Sequence, residues 1–584
     1  MTKTSAMVTA AARIQTIANH ISPSLTPQQQ QNGFNHEKYR VHRKHKQDPY
    51  HTPLDPIRFL LRSAMVYSKK TAIIHKKREY DYETFADRVL HLANALIHSF
   101  HVRPGDRVAI LCQNIPAYIE AMYAVPSVGG ILVPFNARLI QPEIEYMIKH
   151  SGATLLIVQD VFLTNVSLKV KEMVKMIHVN DYCDNNDHPH LDYCCQYEQL
   201  VQKTDILSQW NDLPLTVDEN AILSINYTSG STGGKPKGVM VSYRGCYLMT
   251  LSMCLHAHLA SDTKYLWTAP LFHCNGWSFP WAVVAMGGTQ VMLNKVDYAL
   301  VWKLLKEGGI THYGAAATVQ SELCNHKDAC RLDRAVHSVT GASPVAVKVL
   351  EDLNALNIYP IHAYGLTETF GPSINTYDSG SLSQYPKEQH SSLVARQGYS
   401  VLCLDETRVL DQVTGKDVVP DGKHVGEICC SGNLTMLGYY NDPEENKRVF
   451  RGGVFWTGDL GVRHPDGAVE VVDRAKDIII SGGENISSIE LEKMIIGMEP
   501  VVECGVVSGP DEKWGERPYA YVVVRQDRHI TADEIIAHCR KNLAGYKCPA
   551  KVIFVESLPK TSTGKIKKHL VREELWKSYK KQIN

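Results

Sequence analysis

A glycine-rich stretch at residues 227–238 constrains the fold of this chain more than any other part of its sequence. It reads YTSGSTGGKPKG and follows an apolar segment, residues 221–226, that has the pattern of a short buried strand. Its four glycines permit positive φ and close backbone approach, so successive backbone N–H groups can point at one anion. Hydroxyl side chains and two lysines add donors and positive charge. The pattern therefore predicts a strand followed by a loop that holds a polyphosphate.

This loop differs from a Walker A loop. A Walker A loop has four residues between its glycines and then Gly-Lys-Ser/Thr. Here Gly230 and Gly234 are separated by three residues, and Lys235 is followed by Pro236. The alternative interpretation is a solvent-exposed turn, but the density of donors after a strand favours an anion site.

The stretch resembles the signature of the adenylate-forming enzymes, a family of acyl-CoA synthetases, 4-coumarate–CoA ligases, luciferases and peptide-synthetase adenylation domains. The resemblance implies an enzyme that binds ATP and converts a carboxylic acid into its adenylate. It also implies that the loop holds the β- and γ-phosphates of ATP through Thr228, Ser229, Gly230, Ser231, Thr232, Gly233 and Lys235.

A second motif, HAYGLTET, occupies residues 362–369. Tyr364 can stack on adenine, Thr367 can donate to the α-phosphate, and Glu368 offers the oxygen ligand that Mg²⁺ prefers. The alternative is an ordinary loop with a capping threonine. The resemblance favours the nucleotide site and assigns to it, in addition, Gly341, Ala342, Ser343 and Gly365.

The segment PLFHCNGW at residues 270–277 resembles the family's acid-binding pocket, in which the histidine position controls access. That residue is His273, which we interpret as catalytic, and the alternative is a buried core histidine. Trp277 is bulky, which favours a short-chain, medium-chain or compact aromatic acid over a long-chain one.

Three further motifs follow in the family's order. The resemblance implies that Asp459 and Arg474 hold the ribose of ATP and that Lys476 is the hinge between a large and a small domain. The adjacent glycines Gly482 and Gly483 would line the path of the pantetheine arm of coenzyme A. The final motif at residues 559–568 makes Lys565 the catalytic lysine, although alone it would be typical of a basic surface loop.

Hydrophobic periodicity predicts the fold class. Residues 84–97 and 114–128 have helical spacing, while residues 107–112 and 131–134 have the pattern of buried strands. This alternation predicts an α/β architecture with parallel-rich sheets, and we place the large domain at residues 51–475. Residues 311–319 predict a strand that leads to a loop. Residues 476–584 predict a small, mobile α+β domain.

Composition excludes several classes of function. The 584 residues suggest two or three domains, and the net charge of +1 argues against nucleic-acid binding. No apolar run reaches the length of a membrane span, so we expect a soluble protein. Fifteen scattered cysteines suggest reduced thiols inside a cell. A zinc site at Cys183, His188, His190 and Cys194 is one interpretation of the cysteine-rich run, and a variable surface loop is the favoured one.

Residues 1–50 are basic and of low complexity, which predicts a disordered or targeting segment. Residues 13–21 resemble the N-terminal peroxisomal nonapeptide through Arg13, Ile14 and His20, but Ile21 departs from its last position. We therefore predict a peroxisomal location. The scarcity of acidic residues leaves the mitochondrion as the alternative.

Together the motifs predict an ATP-dependent acid–thiol ligase, an AMP-forming acyl-CoA synthetase. Its cofactors and substrates would be ATP, Mg²⁺, coenzyme A and a carboxylic acid, and it would be a monomer or homodimer. Alternatives are a stand-alone adenylating enzyme and a luciferase-like oxygenase, which use the same first step. A peptide-synthetase adenylation domain is less consistent, since no carrier domain follows Lys565, and a non-enzymatic binding protein would be expected to lack Lys565 or Glu368.

Overall fold

The computed structural model describes residues 36–39, 52–181, 196–202, 209–215, 218–228, 236–341, 345–525, 527–561 and 564–577. The nonapeptide-like residues 13–21 and the cluster of Cys183, His188, His190 and Cys194 lie outside these ranges. Residues 36–39 belong to the segment 1–50 that was predicted to be disordered or to carry a targeting signal, and they are the part of it that the structure describes. They form the helical turn His36–Tyr39, because the Tyr39 ring is buried and Lys38 pairs with Asp87.

One sheet carries the glycine-rich stretch. Among the described residues its strands lie in the order Gly438–Tyr439, Gly238–Ser242, Ile222–Tyr227, Ile131–Pro134, Arg107–Leu111, Leu155–Gln159 and Lys175–Val179. The last five in this order are parallel. Leu155–Gln159 is buried at every residue, as expected for a parallel strand covered on both faces.

A second, larger sheet packs beside the first. In the described part of the chain its strands lie in the order Tyr399–Ser400, Gly371–Asn375, Ile358–Leu366, Val336–Gly341, His312–Ala316, Lys264–Leu266, Thr289–Met292, Thr71–His75 and Arg78–Asp81. The inner strands are parallel, and one apolar core joins Leu132 and Leu223 of the first sheet to Ile73 and Tyr265 of the second. The α/β prediction is therefore confirmed.

Helices cover and separate these two sheets, and three more, Ser488–Ile496, Ala532–Asn542 and Lys568–Trp576, pack on the sheet of the small C-terminal domain. In chain order they are Ile57–Val66, Tyr82–His98, Pro116–Ser127, Gln141–Ser151, Leu168–Met173, Gln196–Gln202, Tyr243–His256, Phe279–Ala285, Tyr298–Glu307, Ala317–Cys324, Val347–Ala355, Ser379–Leu382, His390–Val394, Pro443–Val449, Ser488–Ile496, Ala532–Asn542 and Lys568–Trp576. The helix Tyr82–His98 begins where the Asp81 carboxylate accepts a hydrogen bond from the Thr84 backbone N–H at 2.7 Å.

One local prediction is wrong. Residues 311–319 were expected to lead from a strand to a loop, whereas the strand His312–Ala316 leads directly into the helix Ala317–Cys324. Gln320 and Leu323 are buried, and the Gln320 amide contacts Ser338 and Thr340 of the neighbouring strand. These long-range contacts stabilise the helix and are not visible in the local pattern.

The C-terminal third is mostly antiparallel. The strands Glu406–Leu410, Val425–Ser431, Val454–Arg463, Phe450–Arg451 and Val469–Arg474 form a sheet that the sequence analysis did not foresee. Beyond it, a small domain contains the strands Glu484–Ile486, Ile479–Ser481, Gly515–Val524, Val501–Asp511 and Lys551–Phe554. This domain has its own apolar core around Leu491 and Val506. In the described ranges, no helix is long and apolar enough to cross a membrane.

Candidate active site

The base of the glycine-rich loop is closed by the backbone. The strand Ile222–Tyr227 enters the loop and the antiparallel strand Gly238–Ser242 leaves it. The Thr228 N–H donates to the Lys237 carbonyl at 2.9 Å, which brings the two ends together. The predicted phosphate-binding residues Ser229, Gly230, Ser231, Thr232, Gly233 and Lys235 lie outside the described residues.

Side chains from one helix support the ends of this loop. The His150 Nδ1 and the Tyr227 hydroxyl are 2.8 Å apart, and the Tyr146 hydroxyl donates to the Pro236 carbonyl at 3.2 Å. Both His150 and Tyr146 lie on the helix Gln141–Ser151 and stack on each other. Side chains of this helix therefore hold both ends of the loop in place.

The second motif and the predicted ribose ligands meet. The Tyr364 hydroxyl donates to Oδ2 of Asp459 at 2.8 Å, and Nε of Arg474 lies 3.3 Å from Oδ1 of the same carboxylate. Asp459 and Arg474 are also opposite each other on neighbouring strands. The structure thus brings together three residues that the sequence places in three separate motifs.

Glu368 is held at two points by the same segment of chain. Its Oε1 accepts a hydrogen bond from the Tyr439 hydroxyl at 2.8 Å, and its carbonyl accepts one from the Met436 N–H, also at 2.8 Å. Burial raises the pKa of the Glu368 carboxyl above its ordinary value. A nearby cation would be needed to compensate a charged carboxylate here.

Lys565 reaches this site from the small domain. Burial, and then the positive charge of Arg474, lowers the pKa of Lys565 to about 7. Burial, and then the charge of Lys565, lowers the pKa of His273 to about 4, so the imidazole is neutral at pH 7. A Cβ added to Gly564 would lie 2.6 Å from Oγ1 of Thr318, so the loop that carries Lys565 abuts the large domain. The two domains therefore bring Lys565, His273 and Arg474 together.

The backbone after His273 is unusual. Five consecutive residues, 274–278, have positive φ, from 44° at Cys274 to 63° at Ser278, and four of them are not glycine. The left-handed region costs about 1–2 kcal/mol per non-glycine residue, and such strain clusters at functional sites. The turn places the Cys274 thiol 3.4 Å from Oγ1 of Thr367, the residue expected at the α-phosphate.

Trp277 lies against Gly341, which the resemblance assigns to the nucleotide site. A Cβ added to Gly341 would lie 2.7 Å from Cη2 of Trp277, so only glycine fits beside the indole. Ala342 and Ser343 lie outside the described residues. Gly365 is equally constrained, because a Cβ there would overlap the carbonyl oxygen of Gly371 where the strands shift register.

The predicted pantetheine residues are not part of this cluster. Gly482 and Gly483 form the exposed turn between the strands Ile479–Ser481 and Glu484–Ile486, with φ of 60° and 91°. The Trp514 ring covers Gly482, whereas nothing lies within 4 Å of a Cβ added to Gly483. Lys476 lies between the two domains, where burial lowers its pKa to about 8. Its carbonyl accepts a hydrogen bond from Arg572 at 2.9 Å.

Sequence reasoning missed three residues at this site: Tyr439, Cys274 and Met436. Tyr439 is the second residue of the two-residue edge strand Gly438–Tyr439, and the Gly-Tyr sequence is the only local feature that marks its position. Cys274 lies inside the histidine motif but was given no role. Met436 acts through its backbone, which no side-chain pattern could reveal.

The residues present fit ATP with Mg²⁺. In the described ranges, no group of three or more His, Cys, Asp and Glu side chains could hold a metal by itself. Mg²⁺ commonly takes one or two protein carboxylates and completes its coordination with water and substrate phosphates. A single half-buried carboxylate, Glu368, near the two ends of a glycine-rich loop satisfies this requirement.

Comparison with known families agrees with this geometry. The model of the AMP-binding enzyme family matches residues 60–440, and that of the AMP-binding enzyme C-terminal domain matches residues 490–565. Both parts of the chain are therefore matched, in the order in which the motifs occur.

Individual relatives are similar over most of their length. Arabidopsis thaliana acetate/butyrate–CoA ligase, peroxisomal, is 36% identical over 89% of this chain and 94% of its own length. The peroxisomal benzoate–CoA ligase of the same plant is also 36% identical, over 89% and 94%. The structure of o-succinylbenzoate CoA synthetase from Bacillus subtilis with ATP and a magnesium ion is 26% identical, with a TM-score of 0.74 over 88% of this chain and 98% of its own.

Proposed function

This chain belongs to the AMP-binding enzyme family, and we propose that it uses ATP to join a short-chain or compact aromatic carboxylic acid to coenzyme A. The resemblance that the sequence motifs indicated is confirmed by the family matches. The enzyme is an acid–thiol ligase, an AMP-forming acyl-CoA synthetase, and its substrates are ATP, coenzyme A and a carboxylic acid. The site roles given below are part of the proposal.

The position of Lys565 carries the proposal. Its ammonium group comes from the small domain and lies near Arg474, Asp459 and His273 of the large domain. A half-buried cation whose charge is felt by a neutral imidazole is suited to an acid carboxylate, because it would balance the carboxylate's negative charge. This is the arrangement required to bring a carboxylate to a phosphate ester.

In the first step a carboxylate oxygen attacks the α-phosphorus of ATP and the bond to the bridging oxygen breaks, which yields acyl-AMP and pyrophosphate. Lys565 neutralises the charge shared by carboxylate and α-phosphate, and Thr367 donates to that phosphate. Asp459 and Arg474 hold the ribose, and Tyr364 stacks on adenine. Catalysis is mainly positioning and charge stabilisation.

Glu368 would hold Mg²⁺ together with the phosphate oxygens, and the ion would supply positive charge against the triphosphate. The residues 228–235 would hold the β- and γ-phosphates. Glu368 is suited to this role because its carbonyl and its Oε1 are both fixed by protein donors.

In the second step the sulfur of coenzyme A attacks the acyl carbon, the thiol gives up its proton to solvent, and the bond from the acyl carbon to the phosphate oxygen breaks, which yields acyl-CoA and AMP. We propose that the small domain, residues 476–584, rotates about Lys476 between the steps, relative to residues 51–475. The exposed turn at Gly482 and Gly483 would then face the site and pass the pantetheine arm. The open space at the Gly483 Cβ position is consistent with this role.

The acid class follows from two observations. The similar acetate/butyrate and benzoate ligases act on short or compact acids by their names. In this chain the Trp277 indole fills the space beside Gly341, where it would limit the depth of the acid pocket.

A panel of carboxylic acids tests the activity. With ATP, Mg²⁺ and coenzyme A, we expect AMP and acyl-CoA to form fastest with C2–C5 or benzoate-like acids. AMP formation independent of coenzyme A would contradict the thiol ligase, and oxygen uptake with acyl-AMP would indicate a luciferase-like enzyme instead.

The variant Trp277→Ala tests the pocket with the same panel. A shift of preference towards longer acids by roughly tenfold or more is expected, because each added methylene in a pocket contributes about 1 kcal/mol or more. An unchanged ranking of acids would assign Trp277 to core packing.

We also propose that the protein is targeted to peroxisomes. The motivation is the nonapeptide-like spacing of Arg13, Ile14 and His20, and the peroxisomal names of similar plant enzymes. A fusion of residues 1–50 to a fluorescent protein should localise to peroxisomes and lose this localisation when Arg13 is replaced. A mitochondrial or diffuse signal would contradict the proposal.

A further inference from the structure

Tyr439 lies at the contact between the two phosphate-binding parts of the large domain. It is 6% exposed, and its hydroxyl donates to Oε1 of Glu368 at 2.8 Å. Nζ of Lys237 lies over the face of the same ring, 5.0 Å from its centroid. Lys237 is the residue whose carbonyl closes the base of the glycine-rich loop.

The backbone holds Tyr439 firmly in this place. Its strand Gly438–Tyr439 pairs with Gly238–Ser242, the strand that leaves the glycine-rich loop, and Tyr439 lies opposite Val239. The Tyr439 N–H donates to Oδ1 of Asn446 at 2.7 Å. The ring therefore has little freedom to move away from Glu368.

Lys237 is also fixed. Its ammonium group pairs with Glu445, which in turn binds Arg448 on the same helix, Pro443–Val449. Glu445 satisfies the charge of Lys237, so the lysine does not compete with Tyr439 for the Glu368 carboxylate. The tyrosine hydroxyl remains the described side-chain donor to Glu368.

Resting on the ATP site proposed above, we propose that Tyr439 is a positioning residue that orients the Glu368 carboxylate for the divalent cation bound with ATP. Its hydroxyl fixes Oε1, which would leave Oε2 to bind the cation without the carboxylate having to be ordered on binding. Groups that hydrogen-bond a metal ligand commonly contribute about 10–100-fold to metal affinity. The same ring contacts Lys237, so the orientation of the carboxylate is linked to the end of the phosphate loop.

A simple packing role is the competing explanation, and Tyr439→Phe separates the two. Phenylalanine keeps the ring, its contact with Lys237 and the strand pairing, and removes only the hydroxyl. The matched control is Tyr377→Phe, because the Tyr377 hydroxyl makes an equivalent bond, 2.6 Å to Oδ2 of Asp466, in a buried position. Both variants lose one tyrosine–carboxylate hydrogen bond.

The measurement is Mn²⁺ binding, followed by electron paramagnetic resonance in the presence of a non-hydrolysable ATP analogue. We expect Tyr439→Phe to raise the half-saturating Mn²⁺ concentration about tenfold, and Tyr377→Phe to leave it unchanged. In a Glu368→Gln background, Tyr439→Phe should add less than about a twofold further change, since the partner carboxylate is already lost.

Unchanged Mn²⁺ binding in Tyr439→Phe would overturn the proposal, and a lowered thermal unfolding midpoint alongside it would assign the hydroxyl to stability. A tenfold loss that persists in the Glu368→Gln background would also overturn it. The assay contains neither acid nor coenzyme A. A chain that makes no acyl-CoA but loses Mn²⁺ affinity in Tyr439→Phe would contradict the proposed function and still support this inference.

Discussion

Glu368 and Lys565 contribute to one candidate site, but the chain holds them in different ways. Glu368 is bound by Tyr439 and Met436, which belong to the same large domain. Lys565 arrives on a loop of the small domain, and its environment depends on how the two domains pack. The part of the site around Glu368 is formed within the large domain, whereas the part around Lys565 forms only where the large and small domains meet.

The contacts that join the small domain to the rest are largely polar. Oδ2 of Asp473 accepts hydrogen bonds from the Ser488 N–H and hydroxyl, both at 2.6 Å, and Lys493 pairs with Glu470 at 3.4 Å. The Arg138 guanidinium reaches the Thr561 carbonyl at 3.4 Å. Polar contacts of this kind can be exchanged for water at modest cost, as in interfaces between domains that move. The difference indicates that only the Lys565 side depends on the position of the small domain, so each residue that this domain presents should matter in one half-reaction.

The largest expected effect is that of Lys565→Ala. It should suppress acyl-AMP formation by about two or more orders of magnitude, on the order of 3 kcal/mol, because the charge on carboxylate and phosphate loses its counter-ion. Thioester formation from supplied acyl-AMP should stay nearly intact. Both effects are measured as the single-turnover rates of acyl-AMP formation and of thioester formation.

Lys567→Ala is the matched control for Lys565→Ala, since it removes a neighbouring lysine from the same segment. It should change neither rate more than about twofold, as expected for a surface charge. Equal losses of both half-reactions in Lys565→Ala would indicate one static site and would contradict domain rotation.

Gly483→Leu should produce the opposite result. A leucine side chain at the exposed turn should slow thioester formation by about tenfold to a hundredfold by obstructing the thiol path, while acyl-AMP formation continues. Gly453→Leu is the control, because Gly453 has a similar φ of 78° and also has nothing within 4 Å of an added Cβ. If both variants slow the thioester step equally, backbone strain and not obstruction is the cause.

Glu368→Gln keeps the shape of the side chain and removes its charge. We expect the adenylation rate to fall at least about tenfold, because charge-neutralising groups commonly contribute a few kcal/mol. The loss should be greatest at limiting Mg²⁺. A rate equal to that of the unsubstituted enzyme under limiting Mg²⁺ would exclude Glu368 as the metal ligand.

The smallest effect concerns pH. Lys565 has a pKa lowered to about 7, so its ammonium form is present below that pH and is lost as the pH rises. The kcat/KM for ATP should therefore fall about fivefold between pH 7 and pH 8. His273 is neutral above about pH 4 and does not titrate in this range.

Lys565→Arg provides the control for this profile, because a guanidinium stays charged throughout. Its kcat/KM is expected to be lower but flat between pH 7 and pH 8. A profile with the same decline in both enzymes would assign the titration to another group.

Local sequence pattern predicted much of the fold. The helices at residues 84–97 and 114–128 and the strands at 107–112 and 131–134 were placed within about two residues, since buried apolar runs and helical spacing are local signals. The antiparallel sheet at residues 406–474 was missed, although the strand Val469–Arg474 alternates between buried and half-buried residues. The helix Ala317–Cys324 was missed because contacts with a neighbouring strand stabilise it.

The sequence by itself determined the family, the order of the motifs and the residue types at the site. Each motif is a short run of residues whose chemistry can be recognised without knowing which other segments it contacts. Only the tertiary structure decided how these runs meet. Lys565 lies close enough to His273, which is far from it in the chain, for its charge to lower the pKa of that imidazole, and Tyr439 rather than a residue of the second motif holds Glu368. It also decided that residues 274–278 adopt positive φ. Such contacts depend on the packing of distant segments, whose energy is shared by many residues and leaves no local pattern.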